Sequence, residues 1–238
     1  MKKSHGYFLF AWLFLYSCTP QEAPTTFTDS RDGKVYKTVT IGDQVWMAEN
    51  LTYLPLVVGK YTISNTEPYY YVYGYDGTDL VAAKISASYQ IYGALYNWTA
   101  ARTACPQGWH LPSDADWTQL EDYLIANGYN YDGTTEGNKI AKSMANASAW
   151  YSSSVEGATG NTAFSEYNNK SGFSGIPGGF RYNEVNPFSY VGYHAIWWSS
   201  TGASPEAALY RALDYNNSNL IRFDCFQDYG LSVRCIRD

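Results

Sequence analysis

Charge is scarce in this chain. Of 238 residues only 16% are Asp, Glu, Lys or Arg, and the formal net charge is −6. No basic stripe interrupts that acidity, which excludes a nucleic-acid groove, since phosphate contacts dominate such binding. Histidines number three and cysteines four. There is no G-x-S-x-G elbow, no H-E-x-x-H pair and no Cys–His signature, so the common nucleophile and zinc-hydrolase motifs are excluded. No apolar run reaches the roughly 20 residues that a helix needs to cross a bilayer. Internal repeats are absent too.

Aromatic residues are plentiful: 18% of the chain, with 24 Tyr and 8 Trp. Tyrosine buries a ring and keeps a polar tip in water, so the excess suits half-exposed sheets and wet binding surfaces. At the N-terminus Lys2 and Lys3 precede the short apolar run "YFLFAWLFLY", which predicts a signal peptide over residues 1–17. "LYSC" resembles a bacterial lipobox and predicts a lipid on Cys18, followed by a Pro- and Thr-rich tether over residues 18–30. Glu22 loosely resembles a surface-export signal. The expected place is the cell envelope, as an outer-membrane lipoprotein facing the periplasm or the surface, touching membrane through the lipid only.

"KVYKTVTI" alternates, with Val35, Val39 and Ile41 on one face, and Gly42-Asp43 turns it into the returning strand "QVWMAENL". Residues 54–90 lack a sustained period and read as an irregular insertion with one short strand pair. "GALYNWTAARTA" predicts a helix, ended by Pro106 and Gly108. Ser113 and Asp116 form a capping box for a second helix carrying the stripe Trp117, Leu120 and Leu124, with Gly128 as its stop. A shorter helix is expected near Asn138–Asn146, then a loop over residues 152–169. "GGFRY", "HAIWWSST", "ALYRALDY", "LIRFDCF" and "LSVRCIRD" read as short strands. Two main helices, an opening hairpin and a late meander make an α+β domain with long irregular loops.

In order, "FTDSRDGKVYKTVTIGDQVWMAENL", "YGALYNWTAA", "CPQGWHLPSDADWTQLE", "GFSGIPGGFRY", "WWSST" and "SVRCIRD" resemble the Fibrobacter succinogenes major paralogous domain family. The resemblance covers about Phe27 to Asp238 and places that domain at residues 31–238. It implies a C-type-lectin-like fold in secreted or lipid-anchored proteins of Bacteroidota and Fibrobacteres, with N- and C-terminal strands paired. The residues alone leave open whether Cys225 and Cys235, flanking "DYG", face each other; the resemblance implies a Cys105–Cys235 bridge, with Cys225 a buried free thiol. Trp109, Pro112 and Trp117 then become packing groups at a corner.

Candidate chemistry is sparse. His110 lies in that corner, and His194 stands in a strand. Asp114, Asp116, Glu121 and Asp122 suit the exposed start of a helix. "EVNP", Glu184 to Pro187, is only a scrambled echo of a calcium–sugar motif, and "WWSS" stands where the second such motif is expected, so no metal and no cofactor are expected. Formylglycine-generating enzymes have a distantly similar fold, but their reactive cysteine pair has no equivalent here, so no catalytic residue is assigned. Aromatic residues are the remaining signal: Tyr190, Tyr193, Trp197, Trp198, Tyr210 and Tyr215, with Arg181 nearby and Tyr69, Tyr70, Tyr71 and Tyr73 in the insertion. Trp197 and Trp198 alternate, so at least one is expected in the core. The expectation is a non-enzymatic surface binder of glycan, related to adhesion; a protein-interaction or structural module of an envelope complex is the alternative, and an enzyme third.

Overall fold

The computed structural model of the chain describes residues 25–182 and 185–238. The expected signal peptide, Cys18, Glu22 and Glu184 lie outside the described residues. The elements run β1 (Thr26–Thr28), β2 (Val35–Ile41), β3 (Gln44–Met47), β4 (Tyr70–Tyr71), α1 (Leu80–Ile85), α2 (Ala87–Tyr92), β5 (Leu95–Tyr96), α3 (Trp98–Ala104), β6 (Trp109–His110) and α4 (Asp114–Ala126). Then follow α5 (Ala141–Met144), β7 (Gly178–Arg181), β8 (Phe188–Val191), β9 (His194–Gly202), β10 (Ala207–Asp214), β11 (Ile221–Phe226) and β12 (Ile236–Arg237). The architecture is α+β with antiparallel strand pairing.

One sheet has the order β1-β2-β3-β12-β6, so the chain's end is inserted between its opening hairpin and β6. Ile236 faces Trp46 on one side and His110 on the other. The bridge Cys105–Cys235 ties the end of α3 to this strand, with Cα atoms 5.9 Å apart. The β9-β10-β11 meander makes a second sheet. Two hydrophobic clusters fill the molecule, one holding Tyr36, Met47, Tyr96 and Trp198, the other Ile41, Trp46, Trp117 and Trp197.

That double core divides β2 along its length. Val35 is exposed and Tyr36 and Thr38 are buried, whereas further along Val39, partly buried, and Ile41 pack into the second cluster. The strand leaves one cluster and enters the other, so its buried parity changes along its length. Alternation reads reliably only where one face is wet. Tyr36 tolerates burial because its hydroxyl meets Thr52 Oγ1 at 2.9 Å.

Helix α3 starts at Trp98 and not at Gly93. Leu95 and Tyr96 pair instead with Tyr71 and Tyr70. Asn97 then caps α3: its Oδ1 accepts from Ala100 N and Tyr69 N, and its Nδ2 donates to Ser64 O and Glu67 O. The insertion is more regular than its sequence suggests, since α1 and α2 are each capped, by Asp79 and Ser86. Helices of six residues are too short to display a period and depend on packing. Helix α4 has the expected capping box, and Trp117, Leu120 and Leu124 are buried along it. Strand β8 was not expected. "LSVRCIRD" forms a strand only at Ile236–Arg237, because Leu231 and Ser232 bridge singly to Tyr96 and Trp197.

Among the described residues three cations are buried without a carboxylate hydrogen-bonded to them: Lys142, Arg181 and Arg234. Backbone carbonyls hold them. Lys142 donates to Ala158 O and Asn161 O, and Arg181 to Lys60 O and Asp228 O. Burial pulls all three pKa values down. Lys142 and Arg181 thus pin loops that lack a ladder of their own. Arg211 is also buried but is paired: its Nη1 reaches Asp114 Oδ1 at 2.8 Å, and Arg222 grips the same carboxylate at 2.9 Å.

Burial pushes the Tyr36, Tyr71 and Tyr210 phenols to about 12, from 10.0. Tyr96 is raised as well, again by burial. A raised phenol pKa means that the folded state holds its proton longer than the unfolded chain. The stability tied to these groups is full below about pH 10 and is lost as pH rises through about 12. An alkaline absorbance titration at tyrosinate wavelengths is expected to show a late group that ionises together with loss of near-ultraviolet circular dichroism. Uniform ionisation near pH 10 with the fold intact would contradict this.

Candidate functional site

The site is built on the β7–β8 hairpin and the start of β9. Phe180 lies opposite Ser189, and Gly178 opposite Val191, which leaves Gly179 facing Tyr190. Both of these central residues have positive φ, 65° and 68°. Glycine suffers no penalty there, and at Gly179 an added Cβ would collide with Ser189 O. A bulky tyrosine does suffer one. In a regular ladder, neighbouring side chains point to opposite faces. Here the left-handed turn at Tyr190 lays its ring beside Phe180, with centroids 5.3 Å apart and planes 4° from parallel.

Other rings extend the row. Tyr229 is 6.5 Å from Phe180 with planes 18° apart, and Tyr182 sits 5.5 Å from Phe180. On the other side Tyr190 meets Tyr193 at 6.4 Å, and Tyr193 stacks on Tyr151 at 4.2 Å. Tyr215 packs edge-on to Tyr193 at 5.1 Å. Tyr190 is 46% exposed and Tyr151 53%, so the row opens to solvent.

A histidine stands within it. His194 is 4.9 Å from the Tyr190 ring, and its Nδ1 is 3.0 Å from Asp214 Oδ2. Burial alone would raise the Asp214 carboxyl, but hydrogen bonds from His194 and Asn216 N outweigh it and the pKa falls. An ionised carboxylate can only accept, so Nδ1 carries the hydrogen and Nε2 is left for a further partner.

Not all of the expected residues are here. Trp197 and Trp198 are both 0% exposed, one in each hydrophobic cluster, because β9 carries core on both faces; neither can stack on a ligand. Arg181 is likewise buried, its guanidinium committed to carbonyls and 5.0 Å from the Tyr71 ring centre. Tyr210 is partly buried against the first cluster and packs edge-on to Phe223, at 6.3 Å. Tyr70 and Tyr71 are buried in the insertion. Tyr190 and Tyr193 come together with Tyr215 as a group; Phe180, Tyr182, Tyr151 and Tyr229 were missed. "GGF" was the available signal for Phe180, since a glycine pair marks a kinked hairpin, but nothing in the sequence ties Tyr151 to it.

Elsewhere, His110 joins Asp238 at 2.6 Å and Asp116 at 3.5 Å, fastening the last residue to the start of α4. Cys225 is unpaired, and burial pushes its thiol well up, the reverse of an activated nucleophile. A polar cleft of about 340 Å³ opens between Lys37, Asn50, Gln90, Tyr92 and Asn146. Among the described residues no helix is long and apolar enough to cross a membrane.

The family model described as the Fibrobacter succinogenes major domain matches residues 39–237. The chain belongs to that family. No curated protein and no solved structure gives a significant match. Within this Fibrobacter succinogenes major domain, the matched span holds the disulfide, both hydrophobic clusters apart from Tyr36, and every ring of the row.

Proposed function

We propose that this protein is an exported, lipid-anchored envelope protein that binds glycan without catalysis, and that the Tyr190 row is its binding face. Sugars present apolar ring faces and a hydroxyl rim, which suit tyrosine rings with polar tips and an imidazole nitrogen beside them. The C-terminal strand pairs with β3 of the opening hairpin and not with the first strand, and this with the bridge at Cys235 suits a C-type-lectin-like arrangement. Export and the lipid on Cys18 rest on the residues of the N-terminus.

The observation that carries the reading is the backbone of Tyr190. A tyrosine at φ 68° on an exposed hairpin is a strained choice where glycine or asparagine would be comfortable. Strain of this kind persists at positions kept for something other than stability. Tyr190→Gly is therefore expected to leave the melting temperature unchanged or to stabilise the protein by up to about 1 kcal/mol. The same variant should lose its retardation in polysaccharide-containing native gels. Undiminished retardation of Tyr190→Gly would remove the row from the binding face.

The alternative, a protein-interaction module, has one observation in its favour. Strand β11 is the open edge of its sheet, with Phe223 and Phe226 exposed.

A further inference from the structure

We infer that the row takes an internal stretch of a neutral polysaccharide, lying along it, and not the terminal sugar of a chain. This rests on the glycan reading above. Sites for a single end group are concave and gather polar groups around the ligand. Here the rings instead follow one another across the surface: Tyr151, Tyr193, Tyr190, Phe180 and Tyr229, at successive spacings of 4.2, 6.4, 5.3 and 6.5 Å. Tyr151 with Tyr193 and Phe180 with Tyr190 form two stacked pairs, and each pair has one ring, Tyr151 or Tyr190, open to solvent. A ligand covering only one of them would leave the others wet, so the contact grows with the length of chain laid down.

Charge settles the kind of chain. Among the described residues no lysine or arginine lies over the rings of Phe180, Tyr182, Tyr190 or Tyr193, although such cations lie over ten other rings. Arg181, the cation closest in sequence to Phe180, is buried beneath. Asp214 beside His194 adds negative charge, in a chain whose net charge is −6. An acidic polysaccharide would meet repulsion without a compensating cation, whereas hydroxyls can use His194 Nε2 and the phenols.

Native gels cast with a soluble β-glucan, a mannan, a galactan or an acidic uronate polymer separate the outcomes, followed by calorimetry with oligosaccharides of the retained polymer. Retention by a neutral polymer, with affinity rising at least about tenfold from disaccharide to hexasaccharide, is the expected result. Tyr151→Ala, at one end of the row, should shorten the length at which affinity stops rising. Equal affinity for a monosaccharide and the polymer, or retention by the uronate alone, overturns the inference and leaves glycan binding standing. No retention by any of these polymers overturns both.

Discussion

Replacing Cys105 and Cys235 together by alanine is expected to lower stability by about 4–5 kcal/mol, the chain-entropy value for a loop of this size. The loop spans a sequence separation of 130, and its two ends lie where α3 stops and where β12 enters the sheet. Much of what lies between is irregular, so few local hydrogen bonds restrain the unfolded chain if the bond is gone. For a domain of this length the melting temperature should fall by roughly 10–20 °C. Thermal unfolding followed by circular dichroism measures it, and reduction of the unaltered protein should reproduce the shift. Cys225→Ala is the control, expected to cost about 1–2 kcal/mol, since it removes one sulfur packed against the first cluster and leaves the bridge untouched. A double variant that melts where the parent does would show that packing alone holds β12 in place.

Arg234→Ala is the second large effect, with an expected loss of about 3–5 kcal/mol. The side chain is 0% exposed. Its guanidinium donates to Met47 O, to Phe173 O and to Asn50 Oδ1, and it lies 4.4 Å from the Phe173 ring centre and 5.5 Å from that of Trp197. It therefore joins the two hydrophobic clusters, since Met47 belongs to one and Phe173 with Trp197 to the other. Truncation leaves a cavity and strips donors from buried carbonyls. Arg234→Met refills much of the volume without restoring the donors, and Arg234→Lys restores charge without the planar fork. Chemical denaturation should rank both between the parent and alanine. An alanine variant within about 1 kcal/mol of the parent would show that the carbonyls find water instead.

Several local features were legible from the residues. Ser113 and Asp116 close a capping box, and Gly42-Asp43 turns the opening hairpin, because these devices act within a few residues of themselves. The Trp117, Leu120 and Leu124 stripe predicted the buried side of α4. Family motifs indicated the pairing of Cys105 with Cys235. The site was only half legible. Tyr190 and Tyr193 stood out as aromatic residues in a strand-rich stretch, but their ring neighbours come from the loop holding Tyr151, the hairpin holding Phe180 and the turn holding Tyr229, and no local pattern links those.

Composition and order thus determined an acidic, tyrosine-rich α+β domain with its caps, turns and family. Only the tertiary structure decided which tyrosines are wet. Tyr36, Tyr71 and Tyr96 are buried because each hydroxyl finds a partner, Thr52 Oγ1, Thr62 O and Tyr53 O respectively. Tyr151 and Tyr190 remain at the surface. A phenol can be core or contact surface at nearly equal cost, and the choice turns on whether a distant part of the chain supplies an acceptor for its proton.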